Sequence, residues 1–193
     1  MGLIIGLMSD SHGSLKWFKK AYNLLKDTDL IIHAGDILYH GPRNPLPDEY
    51  KPKELSEFIN TIPEEKIIFV KGNCDSNVDQ MVIKHDISKR FKTVDIDPFA
   101  LGIIHGDQFK NDSEMFKFMD EFDIDILIHG HYHVKKAVSS NNKIIISPGS
   151  VSLPKDGTKS AGILTIEKFN VAVEFFDLSS GELLVRKSFK LVK

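Results

Sequence analysis

Five short apolar runs, each closed by a polar residue beside glycine, constrain this chain more than any other feature. They are LIIGLM (Leu3 to Met8), DLIIHA (Asp29 to Ala34), KIIFV (Lys66 to Val70), LGIIH (Leu101 to His105) and DILIH (Asp125 to His129). Ile-rich runs of this length, separated by longer amphipathic stretches, read as strands buried between helices, so the expected fold class is α/β. Ser14 is placed as the N-cap of a helix running to about Lys26, with Leu15, Phe18, Tyr22 and Leu25 on one face. Pro52 opens a second helix before Leu55, Phe58 and Ile59, and a third covers Asp112 to Glu121 with Met115, Phe118 and Met119 inward. From Ala161 onward GILTIEK, VAVEFFDL and LLVRKSF alternate, which predicts antiparallel strands in a meander or a second sheet. His40 to Tyr50 is a proline-rich loop long enough to carry function.

Composition narrows the class of partner. With 193 residues, 41% hydrophobic and 27% charged, a single globular domain over 1–193 is expected. A net charge of -2 supplies no positive field for long nucleic acid or an anionic membrane, so neither is an expected partner. Cys74 is the only cysteine, which excludes disulfide staples within the chain and fits a reducing compartment. Leu3 to Met8 is too short for a signal peptide or membrane span and has no basic leader, so the expected location is cytoplasmic.

The residues that follow the runs are DSHG (Asp10 to Gly13), GD (Gly35, Asp36), GNCD (Gly72 to Asp75), HGD (His105 to Asp107) and GHYH (Gly130 to His133). In α/β sheets ligands bind outside the carboxyl ends of strands, where loops gather side chains from distant positions. One such tip alone is an ordinary turn. Five in order deliver carboxylates, imidazoles and an amide oxygen, a donor set suited to Mn²⁺, Fe or Zn²⁺ more than to the all-oxygen shell of Ca²⁺.

This order of tips resembles that of the calcineurin-like metallophosphoesterases: D-x-H, G-D, G-N-H-[DE], H, then G-H-x-H. Within that superfamily LYHGPRNPLPDEY, GNCDSNVDQM and PGSVSLPK are similar to segments of the bacterial YfcE-type phosphodiesterases. The resemblance covers about the first 150 residues. It implies a two-layer sandwich of mixed β-sheets flanked by helices, α/β/β/α, with a dinuclear metal centre at its edge. It further implies that Asp10, His12 and His133 hold one ion, that Asn73, His105 and His131 hold the other, and that Asp36 bridges them. Two divalent ions are the implied cofactors, Mn²⁺ first, with Zn²⁺, Fe²⁺ or Ni²⁺ compatible with the same ligands. The implied reaction is hydrolysis of small phosphodiesters by activated hydroxide, in a homodimer or tetramer, with Asp36, Asn73 and Cys74 as catalytic residues.

Strand alternation keeps His129 on its strand, whereas His131 and His133 lie beyond the Gly130 turn. His129 is therefore a supporting neighbour and the other two are ligands. His33 is structural, and His85 has no ligand-bearing context. Ser9 and Ser11 flank Asp10 as hydrogen-bonding loop residues, since a serine nucleophile needs an activating base. SPGSV, Ser147 to Val151, is a turn that lends groups to the site's surroundings.

Cys74 departs from the superfamily, standing where a histidine normally follows the asparagine. A thiol is a poor charge-assisted donor, so a dianionic monoester suffers more than a monoanionic diester; Cys74 is accordingly assigned to substrate as well as to catalysis. Arg43, with its planar fork of donors, and the nearby His40 are the other substrate-binding candidates. The competing readings are a metal-dependent phosphomonoesterase or nucleotidase, a nuclease, and a silent protein-binding scaffold of the same fold like the vacuolar-sorting retromer subunit.

Overall fold

The computed structural model describes residues 2–192. Its elements are β1 (Leu3–Met8), α1 (Leu15–Leu25), β2 (Leu30–His33), α2 (Pro52–Ile59), β3 (Ile67–Phe69), α3 (Asp79–Val82), β4 (Phe91–Ile96), β5 (Phe99–Ile104), α4 (Asp112–Glu121), β6 (Ile126–His129), β7 (Lys135–Ser140), β8 (Lys143–Pro148), β9 (Ser160–Glu167), β10 (Asn170–Asp177) and β11 (Leu183–Lys190). All five apolar runs contain strands. They are divided between two sheets, ordered β11-β10-β9-β1-β2-β3 and β4-β5-β6-β8-β7.

The division corrects one expectation. These strands are not sandwiched between helices; each has a helix layer on one face and the opposite sheet on the other. Alternate side chains account for this. Ile5, Leu7 and Ile32 from the first sheet meet Leu101, Ile103, Ile126 and Ile128 from the second in the central core. Met8 and Ile31 turn outward to Trp17, Phe18, Ala21 and Leu25 of α1 and to Leu55 and Ile59 of α2. Leu127 and Ile145 turn outward to Met115 and Met119 of α4. A strand buried on both faces must be apolar at every position, which is why the runs are continuous. The layers are α/β/β/α.

Helix boundaries follow local chemistry. Ser14 is the residue before α1, but its side chain makes no cap bond, and its hydroxyl donates to the Asp48 carbonyl instead. Asn111 caps α4 by accepting the Glu114 N–H at 3.1 Å. The three C-terminal strands form a meander, not a separate sheet: β9 pairs antiparallel with β1, and β10 and β11 continue outward from it. Strands β4, β7 and β8 lie outside the five runs and complete the second sheet.

The pairing β1·β2·β3 is parallel, as is β5·β6·β8. Six strands therefore release their chains at aligned carboxyl ends, where the five polar tips sit. Among the described residues no helix is long and apolar enough to cross a membrane.

Candidate metal centre

The tips are shaped by backbone conformations that side-chain-bearing residues rarely adopt. Asp10 (φ 55°), His12 (46°), Asp36 (57°), His131 (68°) and His133 (56°) are all left-handed. Such positions cost of order 1–3 kcal/mol each and persist only where the surroundings over-determine them. The surroundings do so through backbone hydrogen bonds: Asp10 N–H donates to Gly35 O and His12 N–H to Asp36 O, both at 3.0 Å. Ser150 and Ser152 hydroxyls donate to the Asp10 carbonyl at 2.8 and 2.9 Å, so the SPGSV turn supports the site through side chains.

Two glycines allow the tips to close on one another. A Cβ on Gly72 would strike the Asp36 carboxylate, and one on Gly130 would strike the Ser9 hydroxyl and stand 2.8 Å from Asp10 Oδ2. Close approach, more than turning freedom, is what these positions require.

Three histidines point the same nitrogen inward. His12 Nδ1 donates to Tyr39 O at 2.8 Å, His105 Nδ1 to Ala34 O at 2.7 Å and His133 Nδ1 to Leu153 O at 2.6 Å. A carbonyl can only accept, so each Nδ1 carries a proton and each Nε2 is turned to the centre. His12 Nε2 and His133 Nε2 are 3.1 Å apart, and His133 Nε2 is 3.2 Å from Asp10 Oδ1. His105 Nε2 lies 3.3 Å from Asp36 Oδ2 and 3.2 Å from Asn73 Oδ1. Carboxylate oxygens and Nε2 atoms this close together are the donor atoms that a cation would take up in place of the ring protons.

Asp10, His12 and His133 bring ligand atoms within 4.8 Å of one another, as do Asp10, Asp36 and His105. A third such group contains His12, Asp36 and Cys74. His131 stands beside His105, ring centroids 5.2 Å apart, and its backbone N–H donates to the Asp10 carboxylate at 3.2–3.3 Å. Asp10, His12, Asp36, His105 and His133 thus bring possible ligand atoms together where the strand ends of the two sheets meet, with Asn73 and His131 beside them, and the donor set fits divalent ions.

The ionisation of the centre follows from this crowding. Burial would raise Asp10, but the hydrogen bond from His133 and the charges of His133, His105 and His12 hold it well below the carboxylate range. Asp36 is lowered against burial by His105 in the same way. Burial would lower His105, yet Asp36 and Asp10 push it up to about 9. His133 is raised against burial by Asp10, whereas burial wins at His12 and His131 and lowers both. Carboxylates ionised over the whole neutral range are what a cation site requires.

His33 is separate from this system. Its Nε2 donates to Ser11 Oγ at 3.0 Å, that hydroxyl donates to Ile37 O, and Gly35 N–H donates to Nδ1 at 3.3 Å. Burial lowers it from 6.5 to about 3. The unfolded ring takes up a proton near pH 6.5 while the folded ring refuses it, so His33 withdraws stability progressively as pH falls from 6.5 toward 3. Its ring resonances are expected to stay neutral down to about pH 4, and a His33 that titrates near 6.5 would contradict this packing. His129 is also buried, donating Nδ1–H to the Gly130 carbonyl at 2.9 Å.

A cavity of about 500 Å³ opens at these tips, lined by Asp36, Arg43, Asn73, Cys74, His131, His133 and Lys155, among others. Arg43 lines this cavity. The His40 ring is not in this lining: it packs between Tyr39 and Tyr50, centroids 4.8 and 5.2 Å away. Lys155 is an addition, carried by the turn after SPGSV. Burial first, and then the Asp36 charge, push the Cys74 thiol far up, so it stays protonated and neutral.

Asp75 is the residue the motif reading passed over. Its buried carboxylate accepts N–H groups from Asp36 (2.8 Å), Ile37 (2.7 Å) and Gly72 (2.7 Å), tying the second tip to the third. The available signal was its place in GNCD, where an acid follows the asparagine.

Comparison with known proteins is consistent with this geometry. Residues 3–168 match the calcineurin-like phosphoesterase superfamily domain. The chain is 35% identical to phosphodiesterase YfcE of Escherichia coli over 155 residues, 79% of this chain and 82% of that one. The solved structure of YfcE, described as a phosphoesterase from E. coli, superposes with a TM-score of 0.82 at 29% identity, covering 96% of this chain and 98% of that one. Vacuolar Protein Sorting 29 from Cryptosporidium parvum shares the fold, with a TM-score of 0.72 at 20% identity over 98% of each chain. With six aligned strand ends, their polar tips gathered in the expected order, and a family match over most of its length, the chain belongs to the calcineurin-like phosphoesterase superfamily.

Proposed function

We propose that the protein hydrolyses small phosphodiesters at a centre of two divalent ions, Mn²⁺ first among them, in the cytoplasm, with the homodimer or tetramer that the family resemblance implies. The observation that carries this reading is the convergence of three inward Nε2 atoms on Asp10 and Asp36 beneath a cavity bearing Arg43 and Lys155. Asp10, His12 and His133 would hold one ion, Asn73, His105 and His131 the other, and Asp36 would be shared. When bound, two such ions supply charge neutralisation and an acidified water. Arg43 and Lys155, both exposed and long, reach for phosphate oxygens from the cavity wall, Arg43 with a paired-donor fork.

Cys74 sets the preference among esters. Its backbone N–H is held on Asp36 Oδ1 at 2.8 Å, which fixes the side chain at the cavity wall. A neutral thiol there offers no fixed positive charge to a monoester dianion, whereas a diester carries one charge less. With Mn²⁺ supplied, bis-aryl phosphate is expected to be turned over at least tenfold faster than mono-aryl phosphate. Cys74→His is expected to raise the monoester rate about tenfold or more, in line with one added general acid or cationic donor. Absence of turnover of either ester with any divalent ion would overturn the enzyme reading, and an unchanged monoester-to-diester ratio in Cys74→His would overturn the role of Cys74.

A further inference from the structure

A second hollow, of about 420 Å³, opens beside the first and shares Cys74 with it as a common wall. Its character is different. Leu38, Tyr39, Tyr50, Pro52 and Val82 form its sides, drawn from the loop after β2, the start of α2 and the end of α3. Tyr39 and Val82 are 42% and 48% exposed, so part of this apolar wall faces solvent next to the candidate centre. The charged groups on its rim do not dominate it. Asp79 is occupied by the Ser76 N–H at 2.7 Å, and Lys53 is the one cation in the lining.

We infer that this hollow is a subsite for one ester arm of the substrate, and that the arm it takes is a flat aromatic ring. The inference rests on the phosphodiesterase reading and adds the substrate class. Continuity through Cys74 is the first argument: a phosphate seated over Asp36 and Asn73 has this hollow as its apolar neighbour. Shape and lining are the second. Tyr39, Tyr50 and Pro52 contribute to the lining beside Leu38 and Val82, and aromatic contacts add to the area they bury.

The test uses the manganese-loaded protein and two uncleavable anions of equal charge, diphenylphosphinate and dimethylphosphinate, with dibutylphosphinate as the flexible-chain control. Calorimetry is expected to find diphenylphosphinate bound about tenfold tighter than either of the others. Val82→Asp places an anion in the apolar wall at an exposed position and is expected to abolish that preference while leaving dimethylphosphinate binding within twofold. The same variant raises KM for bis(p-nitrophenyl) phosphate five- to tenfold with kcat within twofold, and Val82→Leu keeps the wild-type values. Equal binding of the three phosphinates, or a preference that survives Val82→Asp, overturns the subsite alone. Dibutylphosphinate binding as tightly as diphenylphosphinate overturns the aromatic assignment. Failure to hydrolyse bis(p-nitrophenyl) phosphate with any divalent ion overturns the phosphodiesterase reading, and the subsite with it.

Discussion

Asp36→Asn is expected to lower diester kcat/KM by about 10³-fold, the scale on which a single preorganised charge at a reacting phosphate acts. Asp36 stands between the two proposed ligand groups: Oδ2 is 3.3 Å from His105 Nε2 and 3.8 Å from His12 Nε2, while Oδ1 accepts the Cys74 N–H. Asn preserves shape and removes the charge. Its single carbonyl oxygen cannot serve both sides, and its amide must point N–H groups either at the Cys74 N–H or at the metal ligands. The fold should survive, because the Asp36 backbone N–H remains on Asp75 at 2.8 Å. Steady-state kinetics at saturating Mn²⁺, together with metal content per chain, check this. A loss below tenfold at unchanged metal content would remove Asp36 from its bridging place.

Asp75→Asn acts on the same centre from behind and is the larger structural perturbation. One buried carboxylate accepts three backbone N–H groups, and it is pushed up to about 6 chiefly by its burial, with the Asp36 charge adding to this. An amide has one acceptor oxygen, so at least one N–H of Asp36, Ile37 or Gly72 loses its partner and meets an NH₂ group. The expected cost is about 2–3 kcal/mol of stability, the price of an orphaned buried donor. Because Gly72 leads directly to Asn73, metal affinity should fall roughly 10- to 100-fold as the ligand loop loosens. Urea unfolding and a manganese titration measure the two effects separately. If neither moves, Asp75 does not position the loops. If stability falls but metal affinity holds, its contribution is to the fold alone.

These two residues differ in how far local sequence exposes them. Asp36 follows a continuous apolar run and a glycine, and a strand end followed by GD is a local pattern. Asp75 does its work 38 and 39 residues away from the amides of Ile37 and Asp36, and no local pattern encodes that distance.

The chain by itself determined eight of the eleven strands, most helix bounds and the set of polar residues that follow the apolar runs, because apolar periodicity and glycine-flanked polar tips are properties of a few adjacent residues. It left undecided how five similar runs divide between two sheets, since a strand buried against a helix and one buried against a sheet are equally apolar. Tertiary structure decided that division, and it decided the inward Nε2 atoms, set by the carbonyls of Tyr39, Ala34 and Leu153. It moved the His40 ring between two tyrosines, brought Lys155 to the cavity and left an apolar hollow beside Cys74. Each of these depends on contacts between distant parts of the chain or on loop conformation, and those are fixed only when the two sheets have closed on their common core.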